Sequence, residues 1–159
     1  MKELKSVFSR EELTENAVKL LKKLIATPSM SRDEYNVSLI IEGFFNEHQL
    51  TVNRFKNNIW ATNKYFDAGK PSILLNTHHD TVKPNKAYTL DPFIPVEKDG
   101  KLFGLGSNDA GASLVAMAQT FLYFYEAEDL THNLVIALTA EEEISGLDGI
   151  EALFPQLPN

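Results

Sequence analysis

The sequence predicts an α/β fold built on a mostly parallel, mixed sheet with helices on both faces, and three observations support this prediction. Two apolar segments of strand length, residues 72–76 and 133–139, are separated by a helical pattern over residues 112–125. Strands that alternate with helices are typical of parallel sheets covered by helices. The length of 159 residues, with 43% apolar and 23% charged residues, suits one globular domain with its own core.

Two helices are predicted before the first long strand. Ser9-Arg10-Glu11-Glu12 fits a capping box, and apolar residues recur after it at helical spacing until Thr27-Pro28. Ser31-Arg32-Asp33-Glu34 fits a second capping box and precedes another amphipathic segment. We expect both helices to cover the sheet and to carry no functional site.

Two hairpins and a glycine-rich loop complete the pattern. Residues 51–56 and 59–63 form strands joined at Asn57-Asn58, a pair that favours hairpins, and residues 96–103 form a second hairpin. The loop over residues 104–111 precedes the helix of residues 112–125. It lacks both the P-loop lysine and the Gly-x-Gly-x-x-Gly spacing, which disfavours nucleotide binding.

The composition narrows the possible functions. The net charge of −7 disfavours nucleic acid and anionic membranes as partners, but it suits a pocket whose carboxylates hold cations. The absence of cysteine excludes thiolate zinc sites, disulfides and cysteine nucleophiles. The first residues show no signal-peptide pattern and no segment has the length of a membrane span, so a cytoplasmic location is expected.

Imidazole and acidic side chains follow the two apolar strands. His78 and Asp80 come after the first, and Glu141-Glu142-Glu143 comes directly after the second. Asp109 stands at the predicted start of a helix, where the helix dipole favours a carboxylate. The carboxyl ends of parallel strands meet at one edge of a sheet, so these groups should converge.

Carboxylates that converge in one crevice repel one another unless cations separate them. Histidine with carboxylates suits zinc, cobalt or manganese. The alternatives are an ordinary polar loop around His78 and a solvated acidic turn at residues 141–143, but a solvated turn explains poorly why the triplet directly ends an apolar strand. His79, His48 and His132 are interpreted as residues without a functional role.

These residues lie in three linked motifs: His78-His79-Asp80-Thr81-Val82, Gly106-Ser107-Asn108-Asp109-Ala110-Gly111 and Thr139-Ala140-Glu141-Glu142-Glu143-Ile144-Ser145-Gly146. The motifs, their order and their spacings, 31 residues from His78 to Asp109 and 34 from Asp109 to Glu143, resemble those of the dinuclear zinc metallopeptidase family. That family includes acetylornithine deacetylases, succinyl-diaminopimelate desuccinylases, aminoacylases and glutamate carboxypeptidase. The resemblance extends over essentially the whole chain and is strongest to the acetylornithine deacetylases.

The resemblance implies a zinc-peptidase-like catalytic domain that binds two divalent metal ions, zinc in the first place, with cobalt or manganese as alternatives. His78 would bind one ion, Asp109 would bridge both and Glu143 would bind the second. Asp80 would orient His78, and Glu142 would be the general base that takes a proton from the attacking water. The resemblance also implies a cis peptide bond after Asp109.

The implied reaction removes an acyl group from an N-acyl amino acid, N-acetylornithine or N-succinylornithine, in arginine biosynthesis. A di- or tripeptidase or carboxypeptidase of the same family, and a non-catalytic metal-binding domain, remain as alternatives. Family members carry a further acidic ligand and a last histidine later in their sequences, together with an inserted domain for dimerisation and for closing over substrate. Residues 1–159 are therefore expected to be the N-terminal part of the catalytic domain of a longer, homodimeric enzyme, and to bind metal weakly and be inactive alone.

Overall fold

The computed structural model describes residues 8–158, which form helices α1 to α4 and strands β1 to β6. Among these residues, none of the helices combines the length and the apolar character that crossing a membrane requires. The elements in chain order are α1 (Arg10–Ile25), α2 (Tyr35–Glu47), β1 (Asn53–Phe55), β2 (Asn58–Thr62), β3 (Ser72–His78), β4 (Val96–Lys98), β5 (Lys101–Phe103), α3 (Ser113–Phe124), β6 (Asn133–Thr139) and α4 (Ile150–Leu153).

The central sheet has four strands in the order β1-β2-β6-β3, and β4 and β5 form the separate hairpin predicted from the sequence. β3 runs parallel to β6, with Ser72 opposite Asn133 and His78 opposite Thr139. The predicted mixed sheet is confirmed, but within residues 8–158 two of the three pairings in this sheet are antiparallel, so parallel pairings are not the majority there. The cause is the β1–β2 hairpin, whose second strand pairs directly with β6.

One face of the sheet shares a buried cluster with α1, α2 and α3. Ile136 and Leu138 of β6 belong to the same buried cluster as Phe45 of α2 and Phe121 of α3. Because side chains alternate along a strand, the neighbouring residues of β6 point to the other face. There, α4 begins at Ile150, which lines a cleft together with residues 76 and 139, so helices lie on both faces, as predicted.

Strand β3 lies at the edge of the sheet in the described part of the chain. Its side chains Ile73 and Leu74 are 46% and 37% exposed. An edge strand with exposed apolar side chains is a site at which another strand can add.

The two predicted capping boxes have different outcomes. The first is confirmed, because Ser9 Oγ accepts the N–H of Glu12 and the Glu12 carboxylate accepts the N–H of Ser9. The second is wrong: α2 begins after Glu34, and no side chain caps it. Arg32 adopts a left-handed conformation with φ 77°, and the Ser31 hydroxyl bonds to Asp80 instead of to the helix.

Candidate metal centre

Three separate segments bring acidic and imidazole side chains to one edge of the sheet. His78 is the last residue of β3, and Glu142 and Glu143 follow β6 after a turn at Glu141. The parallel pairing of β3 with β6 places these two strand ends side by side. Asp109 comes from the turn that precedes α3. One ligand atom each from His78, Asp109 and Glu143 lies within 4.8 Å of the others.

Asp109 lies in a π-type turn, Ser107–Ala112, that is closed by a hydrogen bond from the N–H of Gly111 to the oxygen of Gly106 (2.8 Å). The expected position at the start of a helix is therefore not observed, since α3 begins only at Ser113. The peptide bond after Asp109 is cis, as predicted from the family resemblance. The turn leaves the Asp109 side chain 77% exposed, with Oδ1 3.1 Å from His78 Nε2.

The two ring nitrogens of His78 have different environments. Nδ1–H donates to the backbone oxygen of Asp80 at 3.1 Å and lies 3.3 Å from Asp80 Oδ1. Nε2 faces Asp109 Oδ1 at 3.1 Å and Glu142 Oε2 at 3.7 Å. The Asp80 carboxylate beside Nδ1 raises the pKa of His78 to about 9. An imidazole held through Nδ1 in this way presents Nε2 as a metal ligand.

Asp80 joins the segments that form this site. Its side chain is fully buried. Oδ1 accepts the backbone N–H of Glu142 (3.0 Å), and Oδ2 accepts the hydroxyl of Ser31 (2.7 Å) and the N–H of Glu143 (3.1 Å). Burial opposes the ionisation of Asp80, but the hydrogen bonds from His78, Ser31 and the two amides outweigh it and lower its pKa to about 2. The carboxylate therefore fixes the imidazole and the acidic turn relative to each other.

Of the three consecutive glutamates, Glu141 has a structural role, whereas Glu142 and Glu143 belong to the site. Glu141 has a left-handed conformation with φ 57°, is buried, and accepts the N–H of Asp148 at 3.3 Å. Glu142 and Glu143 instead face His78 and Asp109. Burial, followed by the charge of Asp109, raises the pKa of Glu143. The expected repulsion among the carboxylates is thus present, which a bound cation would relieve.

The remaining histidines lie outside the cluster of His78, Asp109 and Glu143. His79 is buried, its Nε2–H donates to the backbone oxygen of Asn57 at 3.0 Å, and burial lowers its pKa to about 4. The His48 ring packs edge-on against Phe44. His132 is exposed and contacts its neighbour Thr131. None of the three adds an atom to the cluster of His78, Asp109 and Glu143.

A cleft of about 450 Å³ opens beside this cluster. Its lining includes His78, Glu142 and the first residues of α4. The cleft is large enough to hold a small organic molecule next to the Glu142 carboxylate. Sequence reasoning did not identify Ser31 as part of the site, because the Ser-x-x-Glu pattern indicated a helix cap and carried no signal of the contact with Asp80.

The donor set fits a divalent cation. One imidazole nitrogen, already oriented through its other nitrogen, and carboxylate oxygens from Asp109 and Glu143 converge on one point. Nitrogen and oxygen donors without sulfur suit zinc, cobalt or manganese. Within residues 8–158 this cluster offers three protein ligands, the number that a single catalytic zinc commonly has.

Curated relatives of this chain align with most of its residues. An acetylornithine deacetylase of Proteus mirabilis is 38% identical over 143 residues, covering 80% of this chain and 36% of the relative. A succinyl-diaminopimelate desuccinylase of Sulfurovum sp. is 29% identical over 144 residues, covering 89% of this chain and 38% of the relative. The chain thus spans little more than a third of the length of these curated relatives.

Solved structures share the fold at low sequence identity. Human carnosine dipeptidase 1 superimposes with a TM-score of 0.72 at 19% identity, over 89% of this chain and 35% of that chain. The Bacillus subtilis YXEP protein, described as a dinuclear metal binding peptidase from the M20 family, has a TM-score of 0.68 at 17% identity, over 92% of this chain and 40% of its own. Residues 74–158, more than half of the chain and including all five residues of the predicted site, match the profile of one family. The chain therefore belongs to the peptidase family M20/M25/M40.

Proposed function

We propose that this chain forms the first part of the catalytic domain of a metal-dependent amide hydrolase that removes an acyl group from an N-acyl amino acid. The observation that carries the proposal is the convergence of His78 Nε2 and the carboxylates of Asp109 and Glu143, with Glu142 beside them. Membership of the peptidase family M20/M25/M40 supports it. Two divalent ions, zinc by preference and cobalt or manganese as alternatives, are proposed as the cofactors.

Each residue has a separate role in this proposal. His78, Asp109 and Glu143 would hold the two ions, His78 as a ligand of the first, Glu143 as a ligand of the second and Asp109 as a ligand of both, while Asp80 holds the ring of His78 in place through Nδ1. When bound, the ions would polarise the amide carbonyl and lower the pKa of water. Glu142, whose Oε2 lies 3.7 Å from His78 Nε2, takes a proton from the attacking water and passes it to the leaving amine.

The substrate that we propose is N-acetylornithine or N-succinylornithine, which places the protein in arginine biosynthesis. The Proteus mirabilis acetylornithine deacetylase supports this choice. Several of the relatives are named succinyl-diaminopimelate desuccinylases, so N-succinyl-diaminopimelate is the second candidate substrate. Structural neighbours named dipeptidases make a small peptide the third.

We further propose that the missing ligands lie in sequence outside residues 1–159, together with a domain for dimerisation and substrate closure. The chain spans 38% and 35% of the length of two succinyl-diaminopimelate desuccinylases that it matches, and three ligands do not complete two catalytic ions. A non-catalytic metal-binding domain would have the same first ligands without the later ones.

Purified full-length protein would test the proposal. After chelator removal of metals, zinc or cobalt should restore the hydrolysis of one N-acyl amino acid from a panel of N-acetylornithine, N-succinylornithine, N-succinyl-diaminopimelate and simple dipeptides. Hydrolysis is followed by the release of free amine, and bound metal by elemental analysis. Binding of two ions without turnover of any panel member would favour the non-catalytic alternative, and turnover that survives metal removal would refute the proposal.

A further inference from the structure

The segment between α1 and α2 supplies one hydroxyl to the candidate metal centre. Ser31 Oγ donates to Asp80 Oδ2 at 2.7 Å, which is shorter than the contacts of this carboxylate with Glu142 N–H, Glu143 N–H and His78 Nδ1. The two residues are 49 positions apart in the sequence. Ser31 is the one side chain that donates a hydrogen bond to this carboxylate among these contacts, because Glu142 and Glu143 use backbone N–H groups and His78 Nδ1 lies 3.3 Å away.

The backbone on both sides of Ser31 is held in place. On one side, the N–H of Thr81 donates to the oxygen of Ser29 at 2.9 Å. On the other side, the buried carboxylate of Glu34 accepts the N–H of Arg32 and, at 3.0 Å, the side-chain amide of Asn57. The serine hydroxyl is therefore presented to Asp80 by a fixed segment and does not reach it from a free loop.

We propose that Ser31 is a positioning residue for the metal centre. Its hydroxyl fixes the orientation of the Asp80 carboxylate, and Asp80 in turn holds the His78 ring and the Glu143 backbone in the geometry that binds metal. This inference rests on the proposed function, because it assigns a role to a residue that would itself contact neither metal nor substrate.

The size of the effect follows from the distribution of donors on Asp80. Oδ1 accepts the N–H of Glu142 and lies 3.3 Å from His78 Nδ1, whereas Oδ2 accepts the hydroxyl of Ser31 and the N–H of Glu143. Without the hydroxyl, Oδ2 keeps one backbone amide and the carboxylate gains freedom to rotate. Residues that directly orient metal ligands typically change metal affinity about 10–100-fold. Ser31 acts one hydrogen bond further away, so we expect about tenfold.

The test compares three variants of the full-length protein. Ser31→Ala removes the hydroxyl, Ser31→Thr restores it on a similar side chain, and Ser38→Ala removes another serine hydroxyl from α2. Ser38 is a matched control, because it is buried and its hydroxyl donates to the oxygen of Tyr35 and accepts from Arg54, outside the site. Cobalt(II) alone is titrated into each metal-free protein, and binding is followed by calorimetry and by the visible absorption of the bound ion.

Ser31→Ala should raise the Kd for cobalt about tenfold and change its absorption spectrum, whereas Ser31→Thr and Ser38→Ala should stay within about twofold of the wild type. Thermal unfolding of each variant checks that it is folded. Because Ser31 is half-buried, water can take the place of the missing hydroxyl in Ser31→Ala.

If the wild type binds cobalt and Ser31→Ala binds it equally well, this inference fails while the proposed function stands. If Ser31→Thr is as weak as Ser31→Ala, the hydroxyl is not the cause and the inference fails as well. A wild type that binds no cobalt would overturn the proposed function and this inference with it.

Discussion

Replacing Asp80 by asparagine changes the charge and one acceptor of the fully buried side chain but almost nothing of its shape. The carboxylate accepts on both oxygens: Oδ1 accepts the N–H of Glu142 and lies 3.3 Å from His78 Nδ1, and Oδ2 accepts the hydroxyl of Ser31 and the N–H of Glu143. An asparagine must place its NH2 group on one side. The hydroxyl of Ser31 can rotate and accept from the NH2 group, but a backbone N–H cannot, so Glu143 N–H is left unpaired in the better orientation.

The expected cost has two parts. A buried N–H without a partner costs about 1–3 kcal/mol, and His78, whose pKa of about 9 keeps it charged at neutral pH, loses its buried counter-charge. No solvent reaches the side chain to relieve either effect, since Asp80 is 0% exposed. We expect Asp80→Asn to lower the free energy of unfolding by about 3 kcal/mol.

Urea denaturation of the metal-free protein measures this loss without a contribution from metal binding. With a slope of about 2 kcal/mol per molar urea, a loss of about 3 kcal/mol lowers the midpoint by about 1.5 M. Asp67→Asn is the control, because Asp67 also accepts a backbone N–H, from Gly69, but in an exposed turn, and it should change stability by less than about 0.5 kcal/mol. A midpoint for Asp80→Asn that equals that of the control would refute this account of Asp80.

Four further outcomes are expected. Glu142→Gln should keep bound metal but lower kcat by about 10²–10⁴-fold. The control Glu15→Gln, on the exposed face of α1, should leave kcat and bound metal unchanged. Loss of metal in Glu142→Gln would contradict its role as a base. Asp109→Ala should lose metal, as measured by elemental analysis, and retention of two ions would exclude it as the bridge. In the metal-free protein, the pKa of Asp80 is lowered from 3.8 to about 2, so the stability that it contributes is present above pH 3.8 and lost towards pH 2. The pKa of His78 is raised from 6.5 to about 9, so its contribution is present below pH 6.5 and lost as the pH passes 9. The free energy of unfolding should therefore fall at both ends of this pH range, and it should fall less in Asp80→Asn. Residues 1–159 alone should bind zinc weakly, hydrolyse nothing and self-associate through the β3 edge, and monomeric behaviour in light scattering or tight binding of two zinc ions would contradict this.

The elements of this fold were predictable where local patterns decide them. The apolar runs before His78 and Glu141 are strands β3 and β6, and Ser9 with Glu12 caps α1 as their spacing indicates. Periodicity, capping and turn signals act over a few residues, so they can be read directly along the chain.

The sheet order and the role of Ser31 could not be predicted in this way. Nothing local indicates that β2 pairs antiparallel with β6, because strand order depends on which apolar faces pack together. Ser31-x-x-Glu34 satisfies a local pattern for a cap, yet the left-handed Arg32 and the contact with Asp80 determine its actual conformation. A contact across 49 residues leaves no trace in local spacing.

The sequence by itself determined which residue types follow each buried strand. The order and spacing of the three motifs then indicated a family, and the resemblance to that family implied a role for each residue. Only the tertiary structure decided which atoms face one another: that Asp80 accepts the amides of Glu142 and Glu143, which are 62 and 63 positions away, and that His78 Nε2 points towards Asp109. The physical reason is that side-chain types and periodicity are local properties, whereas the geometry of the site depends on the parallel pairing of β3 with β6 and on the turn before α3.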